Sequence, residues 1–303
     1  MMVNAIMRNI PWKKIWVQIR DCYLYYCRHA LIINGYVDDL TWRGIRHRNW
    51  GDDLNYYFIR LLTGRPVIFY HNFWLAKRFC FKNYLCIGTL LDAVNYSNRK
   101  TVVWGSGVSG QERDFVLPEK ILSVRGACTA KFLADRNIPC PALFGDPALL
   151  LPLYYQSGIK KKKYKLGIIP HVIDQLHPVV CEMRQGHPEV LMINLAHYKK
   201  WTDVIDQICS CEMIASSSLH GLIVSDAYGV PNCWIELSGK IAGGYFKFYD
   251  YASSVGRKLE RPLVLTAGDD LKPIYLLCSE WVSPKIDMEA IVNSCPFNLQ
   301  ASN

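Results

Sequence analysis

The sequence predicts an α/β protein made of two doubly wound domains that face each other across a cleft. Three observations carry this. Short apolar runs alternate with helical stretches on both sides of a linker at residues 152–165, which holds Pro152, Gly158 and a lysine run. Residues 212–237 read as a complete strand–helix–strand crossover, the unit from which parallel sheets are built. The chain has 303 residues, of which 50% are hydrophobic and 20% charged, enough for two domains with their own cores and too apolar for disorder.

The crossover is the most informative stretch. Met213 to Ala215 is a short strand, and Ser216, Ser217 and Ser218 supply hydroxyls where a helix begins, a position at which serine caps free backbone N–H groups. Leu219 to Tyr228 is that helix; Gly229 and Pro231 stop it, and Asn232 to Leu237 returns as a strand. Such a unit points a helix N-terminus at the carboxyl ends of the strands, where N–H groups and the helix dipole favour an anion. His220 lies in the first turn. Two readings of it stand: a hydrogen-bond donor or general acid beside a phosphate or carboxylate, or an ordinary packing imidazole.

Taken in order, residues 1–34 form a basic aromatic segment. Trp12, Trp16, Tyr23, Tyr25 and Tyr26 mix with Lys13, Lys14, Arg20 and Arg28, which predicts an amphipathic helix, either in a membrane interface or packed on the domain. The N-terminal domain, residues 35–155, is expected to open with a strand over Val37–Gly44. Asn49-Trp50-Gly51-Asp52-Asp53-Leu54 then begins a helix that runs to Leu62. Gly51 permits close backbone approach, and Asp52 and Asp53 are helix caps or carboxylate bases. Pro66–Tyr70, Tyr84–Leu90 and Thr101–Trp104 are strands, and Ile121–Val124 is another that delivers Arg125 before a helix over Ala127–Asp135. A guanidinium at a strand end pairs with carboxylate or phosphate, or forms a salt bridge at the rim. Ala142–Phe144 is a strand ending in Gly145-Asp146-Pro147-Ala148, where Asp146 orients an arginine, accepts a proton, or closes the turn on its own backbone.

The C-terminal domain, residues 164–303, starts with Lys165–Pro170, which delivers His171. Val190–Leu195 delivers His197, and a helix over Trp201–Cys211 precedes the crossover. A glycine hinge at Gly243-Gly244 leads to aromatics around Lys247 and Asp250, a sugar-stacking surface or a buried cluster. Asp270–Cys278 and Asp287–Cys295 are closing helices. No residue-level repeat is evident.

Composition narrows the function. Twelve cysteines are scattered without CxxC pairs, which predicts reduced thiols and no metal site. No uncharged apolar run reaches the ~18 residues of a membrane span, and no signal peptide is evident, so a cytoplasmic location is expected. The net charge of +9 is concentrated: residues 1–30 hold five Lys or Arg against one Asp, and Lys160–Lys165 adds five lysines. Anionic partners are expected, and nucleic acid is disfavoured because no DNA-binding helix pattern or stacking platform accompanies the charge.

Several motifs occur in one order: Asn49 to Leu54, Val124-Arg125-Gly126, Gly145 to Ala148, Ile168-Ile169-Pro170-His171, Ser216 to Gly221, and Lys247 to Tyr251. On these the chain, from about Trp42 to Arg257, resembles the polysaccharide pyruvyl transferase family. The resemblance implies a GT-B glycosyltransferase-like fold of two Rossmann-like domains, with the acceptor on the N-terminal side. It implies phosphoenolpyruvate as donor and a pyruvate ketal formed on two hydroxyls of a surface-polysaccharide precursor, expected to be a lipid-linked oligosaccharide. Peripheral contact with the anionic inner face of a membrane is expected, and no cofactor and no metal. By the same resemblance Arg125, Leu219 and His220 hold the donor, with Ser217, Ser218 and Lys247 beside them. Many members carry arginine where this chain has Ser218, so Lys247 or Arg257 is expected to supply a cation. His220 assists phosphate departure or protonates the methylene carbon, and Asp52 or Asp53 takes a proton from the sugar. Asp146 positions Arg125, while Asn49, Gly51, His171 and Asp250 support the site. A nucleotide-sugar glycosyltransferase of the same fold, or a non-catalytic anion-sensing relative, are the alternatives.

Overall fold

The computed structural model describes residues 12–37, 45–46, 49–93, 96–113, 116–241 and 244–300. Its first half is a five-stranded sheet of β1 (Leu31–Ile33), β2 (Val67–Phe69), β3 (Asn83–Leu85), β4 (Thr101–Trp104) and β5 (Lys120–Ser123), in the order β2-β1-β3-β4-β5. The second half is a sheet of β6 (Tyr164–Ile169), β7 (Val190–Met192), β8 (Cys211–Ser216), β9 (Asn232–Glu236) and β10 (Leu263–Val264), in the order β10-β9-β8-β6-β7. All pairings are parallel. Counted from its own first strand, the second sheet has the same 2-1-3-4-5 order as the first. The chain therefore repeats one topology twice, and each sheet has a switch point where the winding reverses, between β1 and β3 and between β6 and β8. Ligands of open parallel sheets bind at such points.

Helices cover both faces of each sheet. Those of the first half are α1 (Trp12–Arg28), α2 (Trp50–Thr63), α3 (Trp74–Arg78), α4 (Ala127–Ala134) and α5 (Leu151–Tyr154). The rest are α6 (Pro178–Gly186), α7 (Trp201–Cys209), α8 (Leu219–Ala227), α9 (Phe246–Ser254), α10 (Lys272–Ser279) and α11 (Met288–Asn293). Strand alternation decides the packing. Leu31 and Ile33 join the cluster of Trp50, Leu54 and Phe58 on α2, while Ile32 turns to the other face with Ile68, Phe73 and the α1 residues Cys22, Leu24 and Tyr25. α2 ends at Gly64, whose φ of 66° lets its N–H reach Arg60 O at 2.8 Å.

α8 is buried from Leu219 through Asp226, as expected of a helix with no polar face. It lies inside one apolar cluster that runs from β1 and α2, through the turn Pro147–Leu150, to α7 and α8. The two halves are thus joined through a continuous core.

Three expectations are corrected. The first strand is Leu31–Ile33, inside the segment read as an N-terminal appendage; of Val37–Gly44, residues 38–44 lie outside the described residues and Val37 is not in a strand. A three-residue strand directly after a helix carries no turn signal to separate it. Ala142–Phe144 is not a strand, since Phe144 makes only a single bridge to Val124. α11, expected to close the C-terminal domain, packs on the N-terminal half: Trp104 Nε1 donates to Ile291 O at 3.2 Å, Phe297 lies against Tyr84 and Trp104, and Gln300 N–H donates to Leu62 O. All twelve cysteines are free thiols. Among the described residues no helix is long and apolar enough to cross a membrane, and no group of His, Cys, Asp or Glu could hold a metal.

Candidate active site

The two switch points face each other, and a cavity of about 240 Å³ lies between them. The first half lines it with Tyr36, Asn49, Asp52, Thr89, Asp92 and Arg113; the second with His171, Ser218, Leu219, His220 and Lys247.

The start of α2 forms one wall because it is tied across to the other half. Trp50 N–H donates to Leu195 O at 2.8 Å and its indole Nε1 donates to Trp201 O at 2.7 Å. Asn49, the residue before the helix, donates through Nδ2 to Asp52 Oδ2 at 2.7 Å, which aims that carboxylate into the cavity. The adjacent carboxylates diverge: Asp53 is buried and accepts from the Tyr198 hydroxyl. Burial, with Asp53 beside it, pushes Asp52 up to about 7, against the pull of Lys247 and the Asn49 bond.

The start of α8 forms the opposite wall. The serines before it tie the turn together rather than capping the helix: Ser218 makes no side-chain cap, Ser216 Oγ accepts from Ser218 N at 3.0 Å, and Ser217 Oγ accepts from His171 N at 2.8 Å. His171 is thereby fixed beside the α8 N-terminus. His220 is buried, and its Nε2 has no hydrogen-bond partner among the described residues. Its ring packs flat on α2 at Gly51, where a Cβ would come within 2.0 Å of Nδ1. Burial, then Lys247, Arg125 and His171, lower His220 to about 3. Burial and Lys247 lower His171 to about 4, opposed by Asp174. Both imidazoles are neutral at pH 7.

Arg125 stands behind the cavity wall. Its Nε donates to Asp250 Oδ2 at 2.9 Å, Nη1 to Thr89 Oγ1 at 2.7 Å and Nη2 to Val108 O at 3.2 Å, and the side chain is fully buried. Glycines make the slot: a Cβ on Gly107 would lie 2.4 Å from the guanidinium carbon, and one on Gly126 would lie 1.7 Å from Asp250 O. Asp250 also accepts from Thr129 N and Thr129 Oγ1, both at 2.7 Å. The expected partner Asp146 instead caps the Pro147–Leu150 turn, accepting through Oδ1 from Ala148 N at 2.9 Å, while its Oδ2 has no hydrogen-bond partner among the described residues; it acts on Arg125 through charge, and the carboxylate that bonds the guanidinium is Asp250. Arg125 reaches the cavity through Thr89 and through its charge.

Lys247, on the first turn of α9, lines the cavity and bonds to no carboxylate among the described residues. Burial and then Arg125 lower it to about 8, with Asp52 opposing. Arg257, the other candidate cation, is elsewhere: it pairs with Asp226 at 2.7 Å and with Asn232. A broader groove of about 1260 Å³ shares Asn49 and Asp52 with the cavity and continues along Arg46, His197, Tyr198 and Lys199. From the loop after β4, Ser109, Gln111 and Arg113 line the cavity. Sequence reasoning missed Tyr36, Thr89, Asp92 and Arg113. Thr89 could have been found, since it follows Gly88 just beyond β3.

Fold and site define an α/β protein with a polar cavity, lined by carboxyl groups, imidazoles and an amine, between the switch points of two parallel-sheet halves. The chain belongs to the polysaccharide pyruvyl transferase family, whose description matches residues 24–239. It is 31% identical over 163 residues to the uncharacterized protein L143 of Acanthamoeba polyphaga mimivirus, covering 53% of this chain and 56% of that one. It is 29% identical over 219 residues to the succinoglycan biosynthesis protein ExoV of Rhizobium meliloti strain 1021, covering 70% of this chain and 63% of ExoV. The chain thus spans less than two thirds of either relative. A crystal structure of an uncharacterized Klebsiella pneumoniae protein superposes with a TM-score of 0.40 and 12% identity, over 85% of this chain and 100% of that one.

Proposed function

We propose that this chain transfers the pyruvyl group of phosphoenolpyruvate to two hydroxyls of a sugar in a surface-polysaccharide precursor, closing a cyclic ketal. The observation that carries the reading is the cavity itself. It sets Lys247, two imidazoles and the α8 N-terminus opposite the carboxyl groups of Asp52 and Asp92, in a space that admits a small phosphate ester.

In the reaction, Lys247, His171 and the first-turn N–H groups of α8 receive the phosphate and carboxylate, and Arg125 adds its charge through Thr89. A proton from solvent goes to the methylene carbon, turning it into a methyl group and leaving an oxocarbenium-like centre at C2; the proton that Asp52 takes in the next step returns to solvent and restores the balance. The first sugar hydroxyl forms an O–C2 bond and gives its proton to Asp52, whose pKa of about 7 suits a base near neutrality. The C2–O bond to phosphate then breaks, the oxygen leaving with the electron pair, and His220 donates a hydrogen bond to the departing group. Attack by the second hydroxyl closes the ring, and its proton leaves with phosphate. Asp53, held by Tyr198, lies beside Asp52 and helps burial raise the pKa of that carboxylate. The sugar enters along the groove that shares Asn49 and Asp52 with the cavity.

The test is thermal unfolding with phosphoenolpyruvate, followed by phosphate release with galactose-, glucose- and mannose-type acceptors. Protection by the donor, with acceptor-dependent release and a product heavier by one pyruvate less one water, is expected. Protection by nucleoside diphosphates alone would transfer the chain to the rival reading, and protection without release under any acceptor to the anion-sensing one.

A further inference from the structure

α1 packs on the first sheet by one side only. Cys22, Leu24 and Tyr25 meet the sheet, while Ile15, Trp16, Ile19, Tyr23 and Tyr26 face outward, all of them exposed. Ile15, Ile19, Tyr23 and Tyr26 recur at the spacing that keeps side chains on one helical face. This inverts the usual arrangement, in which the outer face of a surface helix is polar. α3 extends the same surface. Gln18 on α1 donates to Asn72 O and accepts from Trp74 N–H at 2.9 Å, so Trp74 emerges beside the helix, followed by Phe79; both rings are more than half exposed.

The charge around this apolar face has one sign. Among the described side chains of α1, Arg28 is exposed, while Arg20 is mostly buried and paired with the single carboxylate of the helix, the buried Asp21. Lys77, Arg78 and Lys82 are exposed on and after α3, and residues 70–83 contain no acid. We infer that the outer face of α1, with Trp74 and Phe79, is a docking surface for an anionic lipid bilayer. Tryptophan and tyrosine suit the headgroup boundary, where an apolar ring and a polar edge are both satisfied. Lysine and arginine around them are drawn to acidic headgroups. A second copy of the chain is the poorer occupant, because a two-fold contact would set this cationic surface against itself.

The experiment is co-flotation of the full chain with vesicles of phosphatidylcholine alone and of phosphatidylcholine mixed with phosphatidylglycerol. Binding to the mixed vesicles that weakens with salt, and little binding to the neutral ones, is expected. The combined variant Trp16→Ser, Tyr23→Ser, Trp74→Ser should lose at least roughly tenfold in partitioning. The variant Lys77→Ser, Arg78→Ser, Lys82→Ser should lose about fivefold for each cation near the surface. Both should keep the wild-type unfolding temperature, since every changed side chain is exposed. Equal binding to neutral and acidic vesicles, or wild-type binding by both variants, overturns the inference. So does a dimer that the aromatic variant converts to monomer in a chain that floats with no vesicle. Because no arm reads turnover, failure here leaves the pyruvyl-transfer reading standing, and failure of that reading leaves this one.

Discussion

Replacing Gly51 with alanine separates the stability of the fold from the placement of His220. The new methyl would lie 2.0 Å from His220 Nδ1, 2.4 Å from Cγ and 2.8 Å from Cε1. Ordinary contact begins near ~3.5 Å, so something must retreat by roughly 1.5 Å. The start of α2 is held by the Trp50 N–H and indole bonds to Leu195 O and Trp201 O, which leaves the imidazole as the part that moves. Two terms then oppose each other in stability. Alanine favours a helix over glycine by up to about 1 kcal/mol, less in a first turn, while overpacking costs about 1–3 kcal/mol. The net loss is about 0–3 kcal/mol, visible as a shift in the urea midpoint. Turnover should fall much further, because a displacement of roughly 1 Å at a reacting group costs on the order of a hundredfold. Phosphate release gives kcat/KM and urea unfolding gives stability on the same preparation. A Gly51→Ala chain that turns over like wild type would show that the position of His220 does not matter to the reaction.

Asp250→Asn leaves Arg125 buried without its carboxylate, and urea unfolding should report a loss of about 3–5 kcal/mol together with weaker protection by phosphoenolpyruvate. Asp52 has a folded pKa of about 7 against an ordinary 3.8, so its contribution to stability is full below the lower value and is lost as pH rises through the upper one. Asp52→Asn should therefore raise the unfolding temperature at about pH 8, leave it unchanged at about pH 4, and abolish acceptor-dependent phosphate release. Lys247, lowered to about 8, is only partly charged there, and a bound anion restores its proton. Donor binding should take up protons near that pH, and affinity should fall as pH rises above it. Calorimetry in buffers of different ionisation enthalpy checks this, and a buffer-independent binding enthalpy would contradict it.

Much of the fold was legible because parallel strands buried on both faces read as plain apolar runs. Tyr164–Ile169 and Cys211–Ser216 stand out for that reason, and Ser, Gly and Pro mark both ends of the crossover between β8 and β9. The α2 and α8 starts were legible too, each as a local motif that opens a helix. Pairings that span the chain were not. The resemblance put Asp146 beside Arg125 and named Asp250 only as support for the site, whereas the residue that bonds the guanidinium is Asp250, 125 residues away on α9. Tyr36, Asp92 and Arg113 lie on loops whose side chains converge only once the strand order is set, and no spacing rule encodes that.

The repeated 2-1-3-4-5 order explains how two motifs of unlike composition come to share one cavity. Parallel-sheet cores tolerate many apolar combinations of similar volume, so two halves can keep a topology while losing every trace of residue similarity. What topology preserves is the switch point, and the two halves have put different chemistry there. The first supplies a carboxyl group, Asp52, at a helix start; the second supplies imidazoles, an amine and a helix N-terminus. In the proposed reaction neither set suffices alone, because the base needs a bound donor and the donor site needs a base. Their separation therefore has to be fixed. The apolar cluster from β1 and α2 to α8, the Trp50 bonds to Leu195 and Trp201, and the buried Arg125–Asp250 pair all cross between the halves at or behind this cavity.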